Sequence, residues 1–116
     1  MDHQRHFKSC PVCSEIWPTP DAFVRDRALA PIGLTVVFDD PYRSLFMFNH
    51  RCGTTLGVEA DLLRDHFPLL VGESLARTAG CRRHCLDIND LESCDQPCRN
   101  APLRQFLQTL RLAGTE

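Results

Sequence analysis

No apolar stretch of this sequence approaches the roughly 20 residues that a membrane-spanning helix needs, and the leading MDHQRHFKSC lacks the apolar run of a secretory signal. These absences predict a cytoplasmic chain with no membrane partner. A strong excess of either sign of charge is missing too. The formal net charge is -2, and the longest basic clusters are single pairs such as Arg82 and Arg83, so there is no electrostatic footprint for nucleic acid. GxSxG, P-loop, GxGxxG and HExxH motifs are all absent, and nothing assembles a nucleophile, a base and an orienting group. The expectation is a protein that is not an enzyme. Repeats of domain scale, linkers and low-complexity segments are missing as well, which leaves residues 1–116 as a single domain.

At 116 residues one apolar core is feasible but not generous, so a metal or a cross-link would add useful stability. The composition, 43% hydrophobic and 24% charged, is that of an ordinary globular protein. Cysteine is the exception. Seven are present, an odd number that disulfides alone cannot use. In a reducing cytosol clustered thiols more often bind metal or carry out redox chemistry.

The chain pattern predicts a polar loop through residue 18. Thr19 and Pro20 then read as the N-cap and first position of a short helix running to about Ala28 and ended by Pro31. From Ile32 the β-branched and aromatic residues IGLTVVF, SLFMFNH and TTLGV predict a three-stranded antiparallel meander with turns at residues 40–43 and 51–53. The consecutive apolar residues Leu45, Phe46, Met47 and Phe48 predict a central strand buried on both faces. EADLLRDHF places Leu62, Leu63, His66 and Phe67 on one helical stripe closed by Pro68. A further short helix is expected from Glu73 to Ala79 with Gly80 as its left-handed cap, and a capping box at Asn89 and Glu92. The last helix should run from Asn100 or Ala101 to about Ala113, with Leu103, Phe106, Leu107 and Leu110 facing the sheet and Arg104, Gln108 and Arg111 opposite.

Cys10 and Cys13 form CPVC, a spacing that turns two thiolates toward one tetrahedral ion while turn amides point at the sulfurs. Haem attachment is excluded because Ser14, not His, follows the second cysteine. CPVC also resembles the CPxC of glutaredoxins, but Pro18 and Pro20 follow too soon for the helix that fold requires. Cys52 lies in HRCGTT, where Gly53 can take a left-handed turn. Cys-Gly in a tight turn resembles one knuckle of zinc-ribbon and rubredoxin-like sites, and CPVC resembles the other. The second CxxC is missing, since position 49 is Asn, so a fourth ligand must come from elsewhere. His50 is the simplest candidate, with His3, His6 and a C-terminal cysteine as alternatives.

The stretch GCRRHCLDINDLESCDQPCRN repeats CxxxC across eight residues. Cys81, Cys85, Cys94 and Cys98 can be closed by two disulfides, a zinc ion or an iron–sulfur cluster, and zinc is the preferred reading because Pro97 disfavours a helical hairpin. Two sites then use all seven thiols: Cys10, Cys13, His50 and Cys52 in one, the four C-terminal cysteines in the other. A competing arrangement has a single zinc on Cys10, Cys13 and two C-terminal cysteines. His66 reads as a packed histidine, His84 as pointing away from its neighbouring thiols, and Asp39 and Asp40 as turn residues ahead of Pro41.

The expected fold is α+β: a three-stranded antiparallel sheet carrying a C-terminal helix and shorter helices, stabilised by one or two zinc ions. The expected function is a non-catalytic zinc-binding module with a structural or regulatory role that docks a protein or small ligand. The alternative is an iron–sulfur or thiol-based redox or electron-transfer protein.

Overall fold

The computed structural model describes residues 7–75, 78–81 and 83–114, with the side chains of residues 112–114 left out. His3 and His6 therefore lie outside the described residues. The chain is α+β. A two-residue hairpin, β1 (Lys8–Ser9) and β2 (Ile16–Trp17), leads into helix α1 (Pro20–Val24). The antiparallel sheet β3–β4–β5 follows, formed by Leu29–Thr35, Leu45–His50 and Thr55–Glu59. Helix α2 (Ala101–Gly114) closes the chain against it.

The expected meander and final helix are present, and α2 buries the anticipated Leu103, Phe106, Leu107 and Leu110. Phe106 meets Phe46 of the sheet edge-on at 5.5 Å, and each such aromatic pair adds about 0.5–1.5 kcal/mol beyond the area it buries. A second aromatic chain runs from Trp17 to Phe23 (5.1 Å) and on to Phe48 (5.1 Å), welding the hairpin and α1 to the same core. Trp17 donates its indole N–H to Asp26 (2.8 Å), so its one polar atom is satisfied inside the protein.

Several local expectations give way to tertiary structure. Residues 7–18 are not wholly loop, because β1 and β2 pair around CPVC. Thr19 caps α1 by accepting from the Ala22 amide, as its sequence signature predicts, but α1 stops at Val24 and Pro31 lies inside β3. Proline fits there because β3 is an edge of the sheet and the register shifts between Pro31 and Gly33. Strand β4 is central but not buried on both faces. Phe46, Phe48 and His50 are buried while Leu45 and Asn49 are exposed, the two-residue alternation of a sheet with one covered face.

Ala60–His66 forms 3-10 turns kinked at Leu63 (φ -115°, ψ 17°) rather than an α-helix. With three residues per turn the inward row becomes Ala60 and Leu63, which leaves Leu62 half exposed. No helix occupies the described residues between Glu73 and Gly80, where turns close from Thr78 N–H to Leu75 and from Cys81 N–H to Thr78. Gly80 has no left-handed conformation. The Asn89 capping box is replaced by Asp87 and Asp90, whose carboxylates accept from the amides of Asn89 and Glu92, and the short helix there is a 3-10 turn at His84–Leu86. Arg104, expected on the outer face of α2, is completely buried.

Candidate metal centre

Two tight turns meet at one end of the sheet. In the first, the Cys10 amide donates to Glu15 (2.8 Å) and the Ser14 amide to Cys10 (2.9 Å), with Ser14 in the left-handed region at φ 65°. This folds CPVC back on itself at the tip of the β1–β2 hairpin. In the second, the Gly53 amide donates to His50 (2.8 Å) and Gly53 takes φ +94°, the conformation its lack of Cβ permits. Because His50 ends β4 on the same face as Phe46 and Phe48, its ring is carried under the first turn, edge-on to Trp17 at 5.1 Å.

The result brings Cys10, Cys13, His50 and Cys52 together, their ligand atoms all within 4.8 Å of one another. Cys10 Sγ lies 3.6 Å from Cys52 Sγ, and His50 Nδ1 lies 3.3 Å from Cys52 Sγ and 3.6 Å from Cys13 Sγ. All seven cysteines are free thiols, so the disulfide arrangement is not formed. The geometry also separates Cys10 and Cys13 from the C-terminal thiols, against the competing single-site arrangement.

Backbone amides stabilise the sulfurs as anions. The amides of Cys13 and Val12 hydrogen-bond Cys10, and the Cys13 amide is the main cause of a thiol pKa below its ordinary 9.0. The Thr54 amide, followed by His50, draws Cys52 down to about 6. At Cys13 the Glu15 amide acts in the same direction, but desolvation and the crowding of Cys10 and Cys52 outweigh it and hold the thiol above 9.0. Burial pulls His50 down, while its bonds to Cys52 and Cys10 pull harder upward, so the imidazole titrates above 6.5. Anionic sulfurs this close repel one another, and a cation at their centre would remove that repulsion.

Sequence reasoning missed Glu15. Its carboxylate sits 3.4 Å from His50 Nε2, the nitrogen facing away from the sulfurs, and 3.2 Å from Arg51. Among the described residues the contact to His50 Nε2 is an ion pair without hydrogen-bond geometry, and a carboxylate so placed behind a metal-binding histidine favours the ring orientation that turns the other nitrogen to the metal. The only hint in the sequence was that Glu15 lies two residues after Cys13.

The remaining candidates fall elsewhere. Cys81, Cys85, Cys94 and Cys98 line one small, partly open cavity, together with His84 and Arg104. They are less tightly gathered than the first set, with no three of their sulfurs mutually within 4.8 Å. Burial pushes the Cys85 thiol up to about 11. His84 Nδ1–H donates to Asp90 Oδ2 at 2.8 Å. His66 stacks on Phe106 at 6.1 Å, the packed role expected of it. Asp40 accepts from the Tyr42 amide and caps the turn at Pro41, which is backbone chemistry rather than catalysis. Among the described residues no helix is long and apolar enough to cross a membrane. Comparison of the chain with protein-family models, with curated proteins and with solved structures finds no match.

Proposed function

We propose that this chain is a non-catalytic zinc-binding module, built around Cys10, Cys13, His50 and Cys52, that serves a structural or regulatory role by docking a protein or small ligand. The observation carrying the reading is the spacing of the four donor atoms. A tetrahedral zinc with Zn–S near 2.3 Å and Zn–N near 2.0–2.1 Å has S–S edges of about 3.8 Å and S–N edges of about 3.6 Å. Three of the six separations, 3.6 Å for one S–S and 3.3 and 3.6 Å for two S–N pairs, lie close to those edges, and the others fall within 4.8 Å.

Four protein donors complete the tetrahedron and leave no position for a reacting water, which favours a structural over a catalytic ion. Zinc in this position would clip the hairpin to the β4–β5 turn across 37 to 42 residues of sequence. The free thiols accord with a reducing compartment such as the cytoplasm. Val12 (65% exposed) and Ile16 (55% exposed) put an apolar edge on the hairpin beside the centre, and a docking protein would bury it.

Metal analysis of the purified full chain tests the reading. The expected result is zinc at the first centre, with cooperative unfolding that shifts to lower temperature after chelation and recovers on adding zinc back. A chain free of metal that melts identically before and after strong chelation refutes it.

A further inference from the structure

The C-terminal thiols differ from the first set in a way that bears on what they hold. They face one cavity without touching, and none is paired in a disulfide. Backbone amides around the cavity donate to two of the sulfurs: Leu75 N–H and Asn100 N–H reach Cys98 Sγ at 3.2 and 3.5 Å, and Arg83 N–H reaches Cys81 Sγ at 3.3 Å. Amide donors of this kind favour thiolate over thiol.

Arg104 supplies the second observation. It is fully buried and lines the same cavity. Its Nε donates to the Glu92 carbonyl at 2.9 Å, and its Nη2 to the carbonyl and carboxylate of Asp90. Among the described residues, Nη1 has no hydrogen-bond partner. Burying a guanidinium with an unused donor is costly unless a negative group faces it, and one carboxylate, itself shared with His84, leaves little to spare.

We propose that Cys81, Cys85, Cys94 and Cys98 ligate an iron–sulfur cluster, with Arg104 as its buried counter-charge. A single zinc would draw all four sulfurs to about 3.8 Å of one another. A cluster spreads its thiolates over several irons separated by inorganic sulfide, and so fits sulfurs held apart around a cavity. Four thiolates on such a cluster carry net negative charge, which Arg104 and the converging amides offset. This inference is independent of the zinc reading of the first centre.

The test uses the full chain, purified anaerobically and incubated with ferric iron, sulfide and a thiol that reduces part of the iron to the ferrous state, so that the mixed-valence cluster balances. The expected product is brown, binds iron and acid-labile sulfide together, shows the Mössbauer signature of a thiolate-ligated cluster, and keeps its zinc at the first centre. Cys94→Ser with Cys98→Ser abolishes the colour and leaves the zinc, whereas Cys13→Ser leaves the colour. Arg104→Met lowers the reduction potential of the cluster, because the reduced form carries more negative charge, while Arg104→Lys stays closer to the wild type. A colourless chain that binds a second zinc through these cysteines overturns the proposal. So does a chain whose four thiols are oxidised to disulfides as isolated, or colour that survives the double substitution. If the variants fail to fold, the iron-to-sulfide stoichiometry and Mössbauer spectrum of the wild-type chain decide between the same outcomes.

Discussion

Replacing Gly33 by alanine sets two effects of opposite sign against each other. Gly33 has no left-handed backbone to protect, so in an open strand the substitution would stabilise by about 0.5–1 kcal/mol through reduced chain entropy. Here the new methyl would stand 2.6 Å from the backbone oxygen of Ile88, closer than any tolerated contact. That oxygen belongs to the cysteine-bearing loop and accepts from the Leu34 amide at 3.0 Å, so the clash falls on the bond that ties the loop to β3. Overpacking costs about 1–3 kcal/mol, and losing the hydrogen bond costs about 1 kcal/mol more. The net is a destabilisation of about 2 kcal/mol, or roughly 8 °C in Tm at about 4 °C per kcal/mol for a domain of this size.

Thermal unfolding followed by circular dichroism, with metal content held constant, measures it. Gly57→Ala is the matched control in β5, where the added methyl meets the flexible ends of Met47 at 3.4 Å and Leu45 at 3.8 Å. That variant should melt at or slightly above the wild-type temperature. A Gly33→Ala protein as stable as the wild type would show that the loop does not lie against β3, and the placement of the C-terminal thiols would fall with it.

Three further outcomes follow from the site. Cys13 is exposed, and packing gives its replacement by serine no reason to matter; a large fall in both zinc content and Tm, read by metal analysis and calorimetry, is expected because a ligand is lost. Glu15→Gln should weaken zinc about 10–100-fold in a competition titration with a chromophoric chelator while leaving the fold intact, and an unchanged affinity would remove Glu15 from the centre. Asp90 carries a pH dependence. Burial works against its carboxylate, but the bond to His84, the Glu92 amide and Arg104 together hold it below 3.8. The folded carboxyl therefore releases its proton more readily than the unfolded one. Its stabilisation is complete above that ordinary value and is lost as pH falls through the lower folded one. Urea melts between about pH 6 and pH 2 should steepen at the acid end for the wild type and flatten for Asp90→Asn.

The features legible in the sequence were those set within a few residues. β-Branched and aromatic residues marked the three strands, an i, i+3, i+4 apolar row marked α2, and Thr19 ahead of Pro20 marked a helix start. CPVC and the Cys-Gly turn announced two knuckles because the geometry of each is closed by its own backbone. His50 was the simplest of several candidates for a fourth donor because it lies two residues before Cys52, and the structure brings its ring to the three thiols.

What the tertiary structure decided lies between segments. Local pattern did not specify whether Cys10 and Cys13 would face Cys52 or the C-terminal thiols, since that depends on the aromatic packing of Trp17, Phe23 and Phe48 that sets the hairpin against β4. Arg104 looked like a surface residue on the helical wheel, and became a buried cation only because the 81–98 loop folds over it and offers the carbonyls of Asp90 and Glu92. The 3-10 winding of Ala60–His66 and the insertion of Pro31 into an edge strand likewise came from the surrounding structure overriding local propensity. Short-range chemistry chooses turns and periodicity; the burial and charge of a side chain depend on which distant segment covers it.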